Sequence, residues 1–168
     1  MATTTAAFYR DANRIPIWTD GLITKKSITF AGATANAWGN DGGTLDGGVL
    51  FTVTGLVYVR LMAVCTADCT GAGSTDEVGI AGDTAILMPI TTMTSLVAGQ
   101  IWLHNATPAT YFIVGEQQAA ADNLPEYLFN GNDIILTTKT ANTDTGAIDF
   151  YCIWRPISTD GNIEASAL

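Results

Sequence analysis

The chain has 168 residues, which suits one domain of ordinary size and leaves little room for two. Charged residues make up only 14%, hydrophobic residues 48%, and the mean hydropathy is +0.25, which points to a surface partly covered by partner subunits. Sixteen acids face seven bases, for a formal net charge of −9, and that balance excludes nucleic-acid binding through a broad basic face.

The first segment, MATTTAAFYRDANR, is polar and has no apolar core, so no secretory leader is expected. Residues 1–20 show no hydrophobic period. They nevertheless carry Phe8, Tyr9, Ile15, Ile17 and Trp18, too apolar a set for a simple disordered tail. Pro16 favours an extended path. Arg10, Arg14, Lys25 and Lys26 face only Asp11 and Asp20, while the rest of the chain sets three bases against fourteen acids. Residues 1–21 therefore read as an extended N-terminal arm. It either docks on an acidic surface of a neighbouring subunit or folds back on its own domain.

From residue 22 onward the hydrophobic period is two wherever it can be read. Strands are expected at 22–30, 49–54, 56–66, 77–81, 85–90, 100–104, 111–114, 133–138 and 146–156. Thr, Val and Ile dominate them, and Gly, Asn, Asp and Pro fill the gaps. In 56–66, Val57, Val59, Leu61, Ala63 and Cys65 share one face and Tyr58, Arg60, Met62 and Val64 the other. Both faces are largely apolar, so this strand is expected to be central and covered on both sides. In 146–156, Ile148, Phe150, Cys152 and Trp154 alternate with Asp149, Tyr151, Ile153 and Arg155. The turn-rich link KTANTDTG suggests a hairpin between 133–138 and 146–156. One short helix is expected within 116–128, interrupted by Asn123 and Pro125. No membrane span is expected, because the longest apolar stretch has strand period and contains Arg60. The pattern is that of an all-β protein: an antiparallel β-sandwich or jelly-roll-like body over 22–158, with a polar C-terminal tail over 159–168.

Few residues suggest chemistry. The stretch GNDGGTLDGG offers Asp41 and Asp46 as hard oxygen donors for calcium, with glycines that could turn carbonyls inward. It is a single unit, whereas calcium-binding nonapeptide repeats work as stacked arrays. A glycine-rich turn between two strands is the reading adopted. His104 is the only histidine, with no nucleophile motif to serve it, so it reads as structural and no catalytic residue is assigned. Asp76 and Glu77 are neighbours on a strand and should face opposite ways. Cys65 and Cys69 could form a disulfide across a turn, or a zinc site with Cys152 and His104 that would lack a second tight ligand pair. Asn105-Ala106-Thr107 matches a glycosylation acceptor, a pattern expected by chance in so threonine-rich a chain. Trp18, Trp38, Trp102 and Trp154 could make a sugar-binding platform, though their spacing favours packing. No cofactor is implied.

Three features remain: the leader MATTTAAFYRDANRIPI followed by DGLITKKSITF, the body rich in Thr, Ala and Gly, and the closing NGNDIILTTKTANTDTGAIDFYCIWRPIS with its tail DGNIEASAL. Together they are similar in style to head decoration (cement) proteins of tailed bacteriophages. Phage tail and neck proteins share this style. The resemblance implies a non-enzymatic virion protein on the capsid surface, assembled in the host cytoplasm. It implies the major capsid protein as partner, self-association as a homotrimer, and no nucleic-acid or membrane contact. It also implies an arm whose Phe8, Tyr9, Arg10, Arg14 and Trp18 touch the neighbour. The alternative is a glycan- or receptor-binding module of a phage tail or surface appendage.

Overall fold

A computed structural model describes residues 21–104 and 124–168. They form ten strands: β1 Leu22–Phe30, β2 Gly48–Thr54, β3 Leu56–Thr70, β4 Thr75–Ile80, β5 Asp83–Thr92, β6 Ile101–Trp102, β7 Tyr127–Asn130, β8 Ile134–Lys139, β9 Thr145–Pro156 and β10 Asn162–Ala165. A 3-10 turn, Met93–Ser95, follows β5. All strand pairs are antiparallel.

The strands make two sheets. Sheet I runs β1-β9-β3, with β6 and β7 both on the far side of β3; sheet II runs β10-β2-β8-β4-β5. β6 pairs with Ala63 and Val64, and β7 with residues 56–59, so the two lie end to end and fill one position. The chain alternates between sheets, staying in the same sheet only for β4–β5 and β6–β7. With β6 and β7 counted as one position, the order is that of a jelly roll with β10 added at one edge.

Period-two patterning explains the core. Inward residues of sheet I include Ile28, Val59, Leu61, Ile148, Phe150 and Trp154, and they meet Phe51, Val53, Val78, Met88, Ile134 and Leu136 of sheet II. The large aromatic residues bury rings without orphaning their polar atoms. Trp102 Nε1 donates to Thr91 Oγ1 at 3.1 Å, and Trp154 Nε1 donates to Thr24 Oγ1 at 2.9 Å. The Trp102 and Phe150 rings tilt together with centroids 6.1 Å apart.

Three expectations need correction. β8 and β9 are not a hairpin. Each is central in its own sheet, with both edges already paired: β8 by β2 and β4, β9 by β1 and β3. The link between them crosses from sheet II to sheet I, held where Thr143 N donates to Gly39 O and Asp144 N to Thr70 O, each at 2.8 Å. Next, β3 is central but covered on one side only among the described residues, for Arg60 is exposed and Tyr58, Met62 and Val64 are half-buried. Third, residues 159–168 are not a tail. Ile163 is buried in the core, and β10 pairs with β2. Thr24 Oγ1 donates to Ile163 O at 3.0 Å, Lys26 Nζ to Ser166 O at 3.0 Å, and Lys26 also reaches Leu168 O. This end of the chain closes the gap between the β1 edge of sheet I and the β2 edge of sheet II. Lys26 sits in that seam, and burial lowers its pKa.

The expected strand at 111–114 and residues 116–123 of the expected helix lie outside the described residues. The described end of that helix segment includes Tyr127 and Leu128, which belong to β7.

Ile163→Ala should lower unfolding free energy by about 2–4 kcal/mol, as for other buried isoleucines. Urea denaturation followed by tryptophan fluorescence measures it. An unchanged midpoint would mean that residues 159–168 contribute no packing.

Candidate functional site

The glycine-rich stretch is a set of turns between β1 and β2. Asp46 spends both carboxylate oxygens on backbone donors: Oδ2 accepts from Gly42 N and Oδ1 from Thr138 N, each at 3.0 Å. It thereby ties the loop to β8. Asp41 is held differently, with its N–H donating to Asn142 Oδ1 at 2.9 Å. Gly39 has φ +87°, and a Cβ there would lie 2.4 Å from Thr143 O, so glycine is required. The loop is thus accounted for as chain reversal and loop-to-loop bonding. Among the described residues no group of three or more His, Cys, Asp or Glu side chains could hold a metal ion. The zinc grouping fails on register, since Cys152 pairs with Leu61, four residues from Cys65 along β3. His104 packs instead at Leu87 O, 3.0 Å from Nδ1, and against the Tyr127 ring.

Asp76 and Glu77 do face opposite ways. Glu77 lies on the outside of sheet II, 3.5 Å from Lys139 Nζ, where it accepts the Thr84 hydroxyl. Asp76 points inward and is fully buried. Its Oδ2 accepts from Thr143 Oγ1 at 3.0 Å, while Oδ1 has no partner. Burial pushes the Asp76 pKa up to about 7; hydrogen bonds from Thr138 and Thr143 oppose this, and the Asp46 charge adds to it. The sequence carries a signal for this burial, because Asp76 shares its period-two face with Val78.

Phe8, Tyr9, Arg10, Arg14 and Trp18, the arm residues expected to touch a partner, lie outside the described residues, as does the Asn105 acceptor. Of the four cations near the N-terminal end, Lys25 and Lys26 belong to the body. Lys25 Nζ sits 2.7 Å from Asp149 and 5.6 Å from the Tyr151 ring centre. Trp38, Trp102 and Trp154 are core residues and give no surface for stacking sugars.

The surface that stands out was not assigned from the sequence. Cross-strand register on the outside of sheet I sets Leu128, Tyr58 and Arg155 in one row, Arg60, Ile153 and Ile23 in the next, and Met62, Tyr151 and Lys25 in a third. Ile23 is 66% exposed and Leu128 53% exposed. The Arg155 guanidinium lies 5.0 Å from the Tyr58 ring centre and pairs with Glu126, which also meets Arg60 at 3.6 Å. These contacts hold the long cations against the sheet and leave aliphatic and aromatic surface between them. The outside of sheet II is more mixed: Thr52 and Thr54 are exposed on β2, Glu77 pairs with Lys139, Val49 and Ile135 are half-buried, and Ile90 on β5 is 52% exposed. The signal for the apolar face was the second apolar row in 56–66 and 146–156. Comparisons of the chain with protein-family models, curated proteins and solved structures found no match.

Folding favours the protonated form of Asp76, whose ordinary pKa is 3.8. Its contribution to stability is therefore full below about pH 4, falls as pH rises, and is gone above about pH 7, a loss on the order of 4 kcal/mol. Asp76→Asn removes the charge, so the variant should melt higher than the parent at pH 8 and match it near pH 4. Thermal melts across that range test this. Parallel profiles for the two proteins would show that Asp76 does not titrate between those limits.

Proposed function

We propose that this chain is a virion structural protein that decorates the outer capsid surface and stabilises it by bridging neighbouring capsid subunits. The observation that carries the reading is the outer face of sheet I, where Ile23 and Leu128 stand exposed beside Tyr58, Met62, Tyr151 and Ile153. Such a face fits a protein laid against a shell. The jelly roll occurs in capsid proteins but also in lectins and enzymes, so the fold alone does not decide.

The mechanism is linkage. A protein that binds only the assembled lattice adds its binding free energy to the lattice and none to separated subunits. Repetition over many sites makes a modest affinity collectively large. Sheet I would supply the main contact, and the arm, with Phe8, Tyr9, Arg10, Arg14 and Trp18, would extend it to an adjacent subunit. The major capsid protein is the partner in this reading, with the protein itself a homotrimer. No chemical step is required.

The test is cosedimentation with shells assembled from the capsid subunit of the same genome. The full chain should pellet with shells, and Ile23→Asp with Leu128→Asp should weaken binding at least tenfold, about 1.4 kcal/mol or more, with circular dichroism unchanged. A chain that stays in the supernatant sinks the proposal. Separately, removal of residues 1–20 should weaken binding while the body stays folded; full affinity after truncation would remove the arm from the interface.

A further inference from the structure

The three cysteines are buried and reduced in the structure. Cys152 stands alone in the middle of β9, but Cys65 and Cys69 share an irregular stretch of β3. From Cys65 to Thr70, β3 advances five residues while its partner β9 advances only three, from Ile148 to Thr145. Two residues of β3 are surplus, and the register shifts twice to absorb them. In an unbulged strand, positions four apart lie about 13 Å from each other, far beyond disulfide reach.

Here the separation is much less. Cys65 pairs with Ile148. A Cβ placed on Gly146 would lie 2.9 Å from Cys69 Cα and 2.6 Å from its Sγ, so Cys69 sits over position 146. The two cysteines thus lie opposite β9 positions two apart, a span of about 7 Å, at the upper end of the Cα separations that disulfides bridge, about 6.8 Å. Both thiols also turn to one acceptor. Cys65 Sγ donates to Ala67 O at 3.1 Å, and Cys69 Sγ lies 3.9 Å from the same oxygen.

We propose that Cys65 and Cys69 form a reversible disulfide that staples the bulge of β3. The oxidant is a small disulfide such as glutathione disulfide. The Cys65 thiolate attacks one glutathione sulfur, breaking that S–S bond and releasing one glutathione thiolate. The Cys69 thiolate then attacks Cys65 Sγ in the mixed disulfide and releases the second glutathione. Two protein thiols are oxidised, one glutathione disulfide is reduced to two thiols, and the two protein protons pass to solvent or to the departing thiolates. The order follows from the surroundings: the Cys69 thiol, as hydrogen-bond donor, lowers the Cys65 pKa, whereas Cys65 and burial raise that of Cys69. Exchange needs local opening of the bulge, because both sulfurs are buried. The dithiol suits a reducing cytosol and the disulfide an oxidising exterior. This inference does not rest on the proposed function.

The test equilibrates the folded full chain with glutathione mixtures of increasing oxidation, quenches with acid, alkylates in denaturant and maps the peptides. Free thiols should fall from three to one, with Cys152 the survivor. Cys152→Ser should still lose two thiols, and Cys65→Ser should lose none. Retention of all three thiols in mixtures that oxidise a denatured control overturns the proposal, as does a bond involving Cys152. Should Cys65→Ser fail to fold, the peptide map of the parent chain decides alone.

Discussion

Strand β9 must fit between β1 and β3, and most of the molecule depends on that fit. Its inward residues Ile148, Phe150, Cys152 and Trp154 are apolar, and its register holds β1 from Leu22 to Phe30 and β3 from Val57 to Thr70. The three strands come from the beginning, the first half and the end of the described chain, so sheet I cannot form from local contacts. Closing such long loops costs entropy before the buried surface returns it. The jelly-roll alternation repeats that cost, because most connections cross the sandwich. Stability then requires the open seam between β1 and β2 to be shut, which Thr24, Lys26 and β10 do together. The Thr24 hydroxyl accepts from the Trp154 indole and donates to Ile163 O, linking sheet I to sheet II through one atom.

How much of this could be read in advance follows from what alternation encodes. Period-two patterning marks strands and faces, so 22–30 matches β1 residue for residue, and Val57, Val59, Leu61, Ala63 and Cys65 fall on one buried row. Alternation does not encode which sheet a strand joins. The link after β8 has hairpin composition, yet its Thr143 and Asp144 bond to distant loops and carry the chain across the sandwich. Alternation also fails for a four-residue strand whose one buried apolar side chain is Ile163, because one residue sets no period. The apolar face of sheet I was visible as a second apolar row, and it was assigned to burial because the sequence could not show that no described strand or helix lies over it.

The irregular features gather at one end of the sandwich. Asp76 at the start of β4, Cys65 and Cys69 near the end of β3, Gly146 at the start of β9 and Thr143 in the crossing link are neighbours there. Thr143 bonds Asp76, and Gly146 lies against Cys69. The charge of Asp76 adds to the rise of the Cys69 pKa. A buried carboxyl with one unpartnered oxygen is costly in a low-dielectric interior, and a doubled bulge removes ladder bonds. The bulge brings Thr66, Ala67 and Asp68 to the surface of β3, beyond the rows that contain Tyr58, Arg60 and Met62.

The edges of the sandwich narrow how association could occur. A partner could add a strand to an open edge or pack against a face. β10 is four residues long, β7 four and β6 two, too short to template a stable added strand. β5 is longer, but its pairing with β4 shifts register twice, and Pro89 lacks an N–H for a further strand. β1 has its free side occupied by the closing segment through Thr24 and Lys26. Edge addition is thus blocked or weakened along each sheet. Side-chain packing on the outside of sheet I remains, where Ile23, Ile153, Tyr151, Met62, Tyr58 and Leu128 stand in fixed rows, each row also carrying one cation, Arg155, Arg60 or Lys25. Rows set by strand register are rigid, so they lose little conformational entropy on contact. Under the proposed capsid-binding role, a repetitive, rigid partner surface is the kind of target such a face would bind repeatedly in one geometry.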